Sequence, residues 1–264
     1  MVEFTGYDEG TPCWVDLMTP DVEVAKRFYS ALFGWDYLDT GEAGGGYVMA
    51  TLRGKPVAGI GPQPPEQPRP SSWTTYLWTD DADATVRRVA DAGGRVVVEP
   101  MDVAGAGRMA VVTDHAGSVF GLWQGREHRG AALANEPGTV TWNENLSDDL
   151  NAARDFYHKV FGYSYENFPK WPVEYDMFKV NGSVRGGIGM KPLEGRLITP
   201  NSWQTYFSVT DTDAVVDEVT NAGGLVMRPA QDTVVGRMAA LVDPEGAPFS
   251  VISVPNGQQD DRSS

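Results

Sequence analysis

The chain has 264 residues, 41% of them hydrophobic and 22% charged, with a formal net charge of −15. At about 150 residues per domain, this length predicts roughly two domains, and the apolar fraction excludes wholesale disorder. The single cysteine excludes an internal disulfide framework and a cysteine-cluster metal site, and no run of about 18 apolar residues indicates a transmembrane helix.

The charge balance narrows the choice of partners. With 21 basic and 36 acidic residues, the protein would repel nucleic acid and anionic membranes at long range, so we expect neither as a partner. The acidic first ten residues lack the basic-then-apolar order of a signal peptide. We therefore expect a cytoplasmic protein, a monomer or homodimer, whose acidic surface is solvated.

The first predicted unit is a strand, a helix and further strands. Residues 13–18 alternate as a strand does, and Asp21 is a good N-cap for the helix that follows. Apolar residues at helical spacing continue to Gly34, which is expected to end the helix. Strand-like runs follow at 47–52 and 56–60.

The second predicted unit has the same order. A strand at 73–79 leads to Asp80-Asp81, which can cap a helix over 82–92 that ends at Gly93-Gly94. Three more strands are predicted, at 95–99, 109–113 and 119–124. Each unit is therefore read as βαβββ.

The whole pattern then repeats. Trp14 and Phe28-Tyr29 recur 128 residues later as Trp142 and Phe156-Tyr157. Three further blocks recur at offsets of 129 or 130: Ser72–Tyr76, Asp91–Gly94 and Gly107–Ala110. Because the blocks keep one order and nearly one offset, the halves are homologous. We predict an α+β fold of four βαβββ modules in two domains, 1–124 and 139–254, with a linker at 125–138 and a disordered tail at 255–264.

The order of these elements and their sequence motifs resemble those of the vicinal oxygen chelate superfamily, which contains glyoxalases, bleomycin-resistance proteins and extradiol dioxygenases. The resemblance covers about residues 11–254, and it is closest to two-domain members described as glyoxalases or hydroxylases. It implies paired modules whose sheets curve into half-barrels around a cavity. The motifs that carry it are Asp21…Phe28-Tyr29…Leu32-Phe33-Gly34, Asp80-Asp81…Ala92-Gly93-Gly94 and Gly107-Arg108…Asp114…Gly117…Phe120.

The resemblance also implies where a metal ion would be held. Members that use a metal carry His or Glu on the first strand of a module and Glu near the end of the last strand. Counting from the shared motifs places these positions at Trp14 and Trp142, Thr74 and Gln204, and Gly121 and Ser250. None of these residue types is a usual transition-metal ligand. We therefore expect no bound metal and no other cofactor.

The three histidines do not supply an alternative metal site. His115 is expected in a turn, His128 in the linker, and His158 on a helix beside Phe156-Tyr157. Their spread does not form a two-histidine, one-carboxylate triad. We expect three unconnected surface histidines.

Two carboxylates are the strongest catalytic candidates. Strand alternation places Asp16 on the cavity face with Trp14 and Met18, and it places Glu144 with Trp142 in the second half. A carboxyl against an aromatic wall is partly desolvated, so its pKa can rise toward neutrality, which suits general acid/base catalysis. The alternative is a structural role, with hydrogen bonds to backbone or to an arginine such as Arg108 or Arg237.

Aromatic side chains are expected to line both cavities. The same alternation places a further set inward: Tyr76, Trp78, Trp123 and Tyr206. Together with Trp14, Met18 and Trp142 they are candidate substrate contacts for a flat, hydrophobic small molecule. The alternative is that these rings simply fill the half-barrels as core.

Three functions remain open. The first is a metal-independent enzyme that tailors a bulky aromatic or polyketide-like metabolite by dehydration, cyclisation or ketal formation, a lyase-like role in antibiotic biosynthesis. The second is a protein that sequesters a drug-like ligand without turnover. The third, a metal-dependent glyoxalase, lyase or dioxygenase, is disfavoured by the substituted ligand positions.

Overall fold

The computed structural model describes residues 2–3, 6–41, 44–64, 71–191 and 200–254. The tail expected at 255–264 lies outside them. Strand β1 is Val2–Glu3. The first module comprises β2 (Pro12–Thr19), α1 (Val22–Phe33), β3 (Asp36–Asp39), β4 (Val48–Leu52) and β5 (Lys55–Pro62). The second comprises β6 (Ser72–Trp78), α2 (Ala82–Asp91), β7 (Arg95–Val103), β8 (Gly107–Thr113) and β9 (Val119–Gly125).

The second half repeats this order. It follows the short strand β10 (Leu133–Ala134), which pairs with β1. The third module comprises β11 (Val140–Ser147), α3 (Leu150–Phe161), β12 (Ser164–Asn167), β13 (Tyr175–Val180) and β14 (Ser183–Met190). The fourth comprises β15 (Ser202–Ser208), α4 (Thr212–Asn221), β16 (Leu225–Thr233), β17 (Gly236–Val242) and β18 (Pro248–Ser253). The predicted α+β class and the four βαβββ modules are confirmed.

The two modules of each half join into one sheet. In the N-terminal half the strand order is β3-β4-β5-β2-β6-β9-β8-β7, and in the C-terminal half it is β12-β13-β14-β11-β15-β18-β17-β16. The first strands of paired modules, β2 with β6 and β11 with β15, lie antiparallel at each sheet's centre. Modules therefore pair within a half, a point that the sequence alone leaves open.

The helix ends follow the predicted capping chemistry. Asp21 accepts hydrogen bonds from the backbone N–H groups of Glu23 and Val24, which helix geometry leaves without intrahelical partners. Gly34 ends α1 in the left-handed conformation, with φ of 69°. The helices have 10 or 12 residues, and within the described ranges none is both long and apolar enough to span a membrane.

Helices pack across the two halves on the side of the sheets away from the cavities. Helix α1 contacts α4, and Phe33 of α1 lies 4.8 Å from Phe207, ring to ring. At this interface Trp73 donates a hydrogen bond to Tyr29, whose hydroxyl donates to Asp243 at 3.0 Å. The second interface repeats the arrangement with Trp203, Tyr157 and Asp114. The repeated Phe-Tyr motif thus joins the two halves.

Two kinds of element differ from the sequence prediction. The alternation of apolar and polar residues does not predict the four-residue edge strands β3 and β12, because most of their side chains are exposed. Strand β7 extends to Val103, beyond the predicted end at Glu99. Its pairing with β8 continues past two register shifts, which periodicity does not reveal.

Candidate functional site

A row of side chains crosses the cavity face of each sheet. In the N-terminal sheet, Trp14 pairs with Tyr76, and Tyr76 pairs with Gly121. The C-terminal row is Trp142, Tyr206 and Ser250. Residues directly opposite on neighbouring strands share a face, so the structure brings the predicted aromatic residues together as the alternation indicated.

Asp16 lies two residues beyond Trp14 on β2, on the same face of the sheet, and it is buried, with 6% of its surface exposed. Burial raises its pKa from 3.8 to about 7, although the hydroxyls of Tyr76 and Tyr47 act in the opposite direction. One oxygen, Oδ1, has no hydrogen-bond partner among the described residues. A neutral acid leaves less uncompensated charge there, which agrees with the raised pKa.

Glu144 occupies the matching place on β11 and is better satisfied. Tyr175 donates to its Oε2 and Tyr206 to its Oε1, each at 2.7 Å. Burial still raises its pKa, because desolvation outweighs these two bonds and the attraction of Arg228. Trp142 donates its indole N–H to Tyr175 at 2.8 Å. The carboxyl is therefore held rigidly between two hydroxyls.

The two flanking tyrosines, Tyr47 and Tyr175, were missed by the sequence reasoning. They lie next to the start of β4 and at the start of β13, where no recognised motif points to them. The repeat offset could have found them, since 175 − 47 is again 128. Each accepts the indole N–H of the first-strand tryptophan, as in the bond from Trp14 to Tyr47.

A glycine on the neighbouring strand makes room for each of these tyrosines. A Cβ at Gly187 would lie 1.7 Å from the hydroxyl oxygen of Tyr175, and one at Gly59 would lie 1.7 Å from that of Tyr47. These glycines therefore serve close approach of a side chain rather than a turn.

We expect Gly187→Ala to displace Tyr175 from Glu144 and to lower the free energy of unfolding by about 2 kcal/mol, as overpacking does. Urea unfolding and near-ultraviolet circular dichroism would measure this. Gly6→Ala is the matched control, because its added Cβ meets nothing within 4 Å. Unchanged stability and an unchanged aromatic spectrum would contradict this account of Tyr175.

The N-terminal cavity is filled by its own side chains. Trp78 and Trp123 lie side by side on the neighbouring strands β6 and β9, and both belong to a buried cluster with Trp14 and Tyr76. Each indole N–H has an internal acceptor: Tyr47 for Trp14, Asp80 for Trp78 and the His128 carbonyl for Trp123. Met18 lies at the end of the cavity beside Gly61. In the N-terminal half, the structure therefore favours the alternative in which these rings form core rather than contact a substrate.

His128 corrects the expectation of three surface histidines. Its ring lies 4.4 Å from Trp14 and 5.4 Å from Trp123, centroid to centroid, so this linker residue covers the N-terminal cavity. Burial lowers its pKa to about 4, which keeps it neutral at pH 7. His115 packs near Phe156, and His158 is exposed.

The C-terminal cavity is more open, because smaller side chains replace the two tryptophans. Ser208 and Ile252 stand where Trp78 and Trp123 stand in the N-terminal sheet. A small pocket of about 40 Å³ remains beside Tyr206. Its wall consists of Trp171, Tyr206, Arg228, Gln231, Thr233, Met238, Ala239, Ala240 and Ser250.

The alternative partners suggested for the two carboxyls are wrong. Arg108 pairs with Asp83 and Asp102 rather than with Asp16. Arg237 pairs in the same way with Asp213 and Asp232. These exposed ion pairs join a helix to the outer strands, and the buried carboxyls face tyrosine hydroxyls instead.

Both halves of the chain match known protein families. Residues 13–122 match the family described as Glyoxalase/Bleomycin resistance protein/Dioxygenase superfamily, and residues 140–252 match a family described as Glyoxalase-like domain. The chain belongs to this superfamily. CFP32 of Mycobacterium tuberculosis is 44% identical over 93% of this chain and 95% of its own length.

Two further proteins are similar to this chain. The anthracycline biosynthesis protein DnrV of Streptomyces peucetius is 38% identical, covering 96% of both chains. The Mn(II)-bound glyoxalase from Novosphingobium aromaticivorans superposes with a TM-score of 0.65 at 15% identity, covering 94% of this chain and 83% of the other. The last comparison concerns the fold alone.

The metal-ligand positions of the superfamily do not fit a metal here. At Gly121 a Cβ would lie 2.0 Å from the ring of Tyr76, so the space for a last-strand glutamate is already taken by that ring. The first-strand position is the indole of Trp14, which donates to Tyr47. No group of three or more His, Cys, Asp or Glu suited to a metal occurs in the part of the chain that the structure describes.

Proposed function

We propose that the protein tailors a bulky aromatic or polyketide-like small molecule by metal-independent acid/base chemistry, with Glu144 as the principal proton donor and acceptor. The observation that carries this proposal is a buried carboxyl held between two tyrosine hydroxyls, one of which belongs to Tyr206 in the wall of a small pocket. Asp16 holds the matching position in the N-terminal half, also beside two tyrosines, but one of its oxygens has no partner among the described residues and its cavity face carries a buried cluster of tryptophans.

Tyr206 provides the path between Glu144 and a ligand. Its hydroxyl contacts the Glu144 carboxyl at 2.7 Å, and its ring lines the pocket. In the proposed transfer, a protonated Glu144 gives its proton to the Tyr206 oxygen, while the Tyr206 hydroxyl turns from the carboxyl and passes its own proton to a ligand oxygen. The charge left on the carboxylate is stabilised by the hydroxyl of Tyr175. The reverse transfer removes a proton from the ligand, so the pair can serve dehydration, cyclisation or ketal formation.

The relatives support the substrate class. DnrV is named for anthracycline biosynthesis and matches this chain over almost its whole length. Anthracyclines are polycyclic aromatic polyketides, which agrees with the flat aromatic ligand suggested by Trp142 and Trp171. The substituted ligand positions support a mechanism in which no step uses a metal ion.

A second candidate function is sequestration without turnover. It is favoured by the complete hydrogen bonding of Glu144, since a fully satisfied carboxyl can be purely structural. Both functions require a ligand in the C-terminal cavity, so a binding measurement alone does not separate them.

Deletion of the gene in its own strain separates the two. If the protein is an enzyme, we expect an aromatic intermediate to accumulate and the purified protein to convert it to a new product, followed by chromatography and mass spectrometry. If the purified protein binds the accumulated compound and returns it unchanged, sequestration is the correct function.

A further inference from the structure

The two cavities also differ in the row of residues next to Tyr76 and Tyr206. Strand pairing aligns Val98, Val111 and Gly121 across the N-terminal sheet, next to Tyr76. The C-terminal row replaces these three with Arg228, Ala240 and Ser250, next to Tyr206. An apolar row has thus become one that carries a cation and a hydroxyl.

Arg228 is the charged residue in the pocket wall. Its positive charge favours the ionised forms of both Glu144 and Tyr206. Among the described residues, however, no carboxylate lies close enough to Arg228 to form a salt bridge. Arg228 is exposed, and in a chain with a net charge of −15 an arginine in a pocket wall that has no salt-bridge partner among the described residues favours an anionic ligand group locally, against the general repulsion.

The size of the pocket indicates how a ligand would enter. The pocket of about 40 Å³ is partly open and has space for one small polar group but not for a ring system. Trp171 stands in the pocket wall with its ring 5.7 Å from that of Tyr175, which supplies an aromatic surface. A ligand would place its ring against Trp171 and its polar group toward Arg228 and Ser250.

We propose that the C-terminal cavity binds a planar aromatic carboxylate, whose anionic group enters the pocket and pairs with Arg228, while the N-terminal cavity binds no ligand. This rests on the proposed function, since it specifies the ligand of the same site. Guanidinium and carboxylate form charge-assisted, commonly bidentate hydrogen bonds. The carboxylate would then fix the ligand with its reacting oxygen near Tyr206.

The test uses anthraquinone-2-carboxylate and its neutral methyl ester as probes in isothermal titration calorimetry. We expect one site per chain and at least tenfold tighter binding of the carboxylate, because hydrogen bonds to charged groups are the strong ones. Arg228→Gln should remove this preference. Arg27→Gln, which makes the same charge change at an exposed position of α1, should retain it.

A second variant tests which cavity is used. Ile252→Trp restores the residue found at Trp123, and Gly236 keeps the space that Gly107 provides beside that ring. We expect this variant to lose carboxylate binding while its melting temperature stays within about 5 °C of the wild type.

Three results would overturn the proposal: no binding to the wild type, an unchanged preference in Arg228→Gln, or full binding by a folded Ile252→Trp variant. These outcomes are separate from a failure of the proposed function. The calorimetry involves no turnover, so a protein that bound the carboxylate but converted nothing would sustain this inference and contradict acid/base catalysis.

Discussion

Glu144→Gln is expected to lower kcat for the compound that accumulates on gene deletion by about 100-fold or more, the usual contribution of a general acid or base. The amide has the shape of the carboxyl but cannot give up and regain the proton that Tyr206 relays. Because Glu144 lies behind the hydroxyl of Tyr206, we expect the Kd of the compound to stay within about threefold. Steady-state kinetics and calorimetry on one preparation would measure both values.

Glu218→Gln is the matched control, since it makes the same charge change at an exposed position of α4. It should leave kcat and Kd unchanged. If Glu144→Gln turns over at the wild-type rate, proton transfer through Glu144 is wrong. If it loses binding and turnover together, the carboxyl is part of the binding site rather than the proton donor.

Asp16→Asn is expected to change the pH dependence of stability. The pKa of Asp16 is about 7 in the folded protein against an ordinary value of 3.8, so the unfolded chain loses this proton first as the pH rises. The free energy of unfolding therefore falls between about pH 4 and pH 7 and is level above that range. At 1.36 kcal/mol per pH unit the loss is about 4 kcal/mol, and the asparagine variant lacks it.

Urea unfolding of both proteins across this pH range isolates the contribution, because other groups titrate equally in each. The stability of the wild type relative to Asp16→Asn should decrease by about 4 kcal/mol from pH 4 to pH 8. Asp217→Asn, which removes one carboxyl at an exposed position of α4, is the matched control. A constant difference for Asp16→Asn would show that its carboxyl is ionised in the folded protein at neutral pH.

Much of the fold could be predicted because local chemistry and the repeat agree. Asp21 and Gly34 mark the ends of α1 through capping that depends on a few neighbouring atoms. Period-two alternation placed Asp16 and Glu144 on the cavity faces, where both are buried. These inferences depend on the order of residues along one element, which the sequence displays directly.

What could not be predicted depends on residues that are distant in the chain. The bond from Tyr175 to Glu144 spans 31 residues and requires the space left by Gly187. The closure of the N-terminal cavity by His128 depends on how the linker folds back over Trp14. The difference between the cavities depends on strand register, which places Arg228 in the row of Tyr206.

Under the proposed function, this superfamily member performs its chemistry with Glu144 and without a metal ion. The most direct test measures turnover of the accumulated compound and metal content in the same sample after dialysis against a chelator. We predict an unchanged kcat with far less than one metal ion per chain, and no gain on adding Mn²⁺, Fe²⁺, Ni²⁺ or Zn²⁺. Activity that disappears on chelation and returns with one metal ion per chain would contradict the claim.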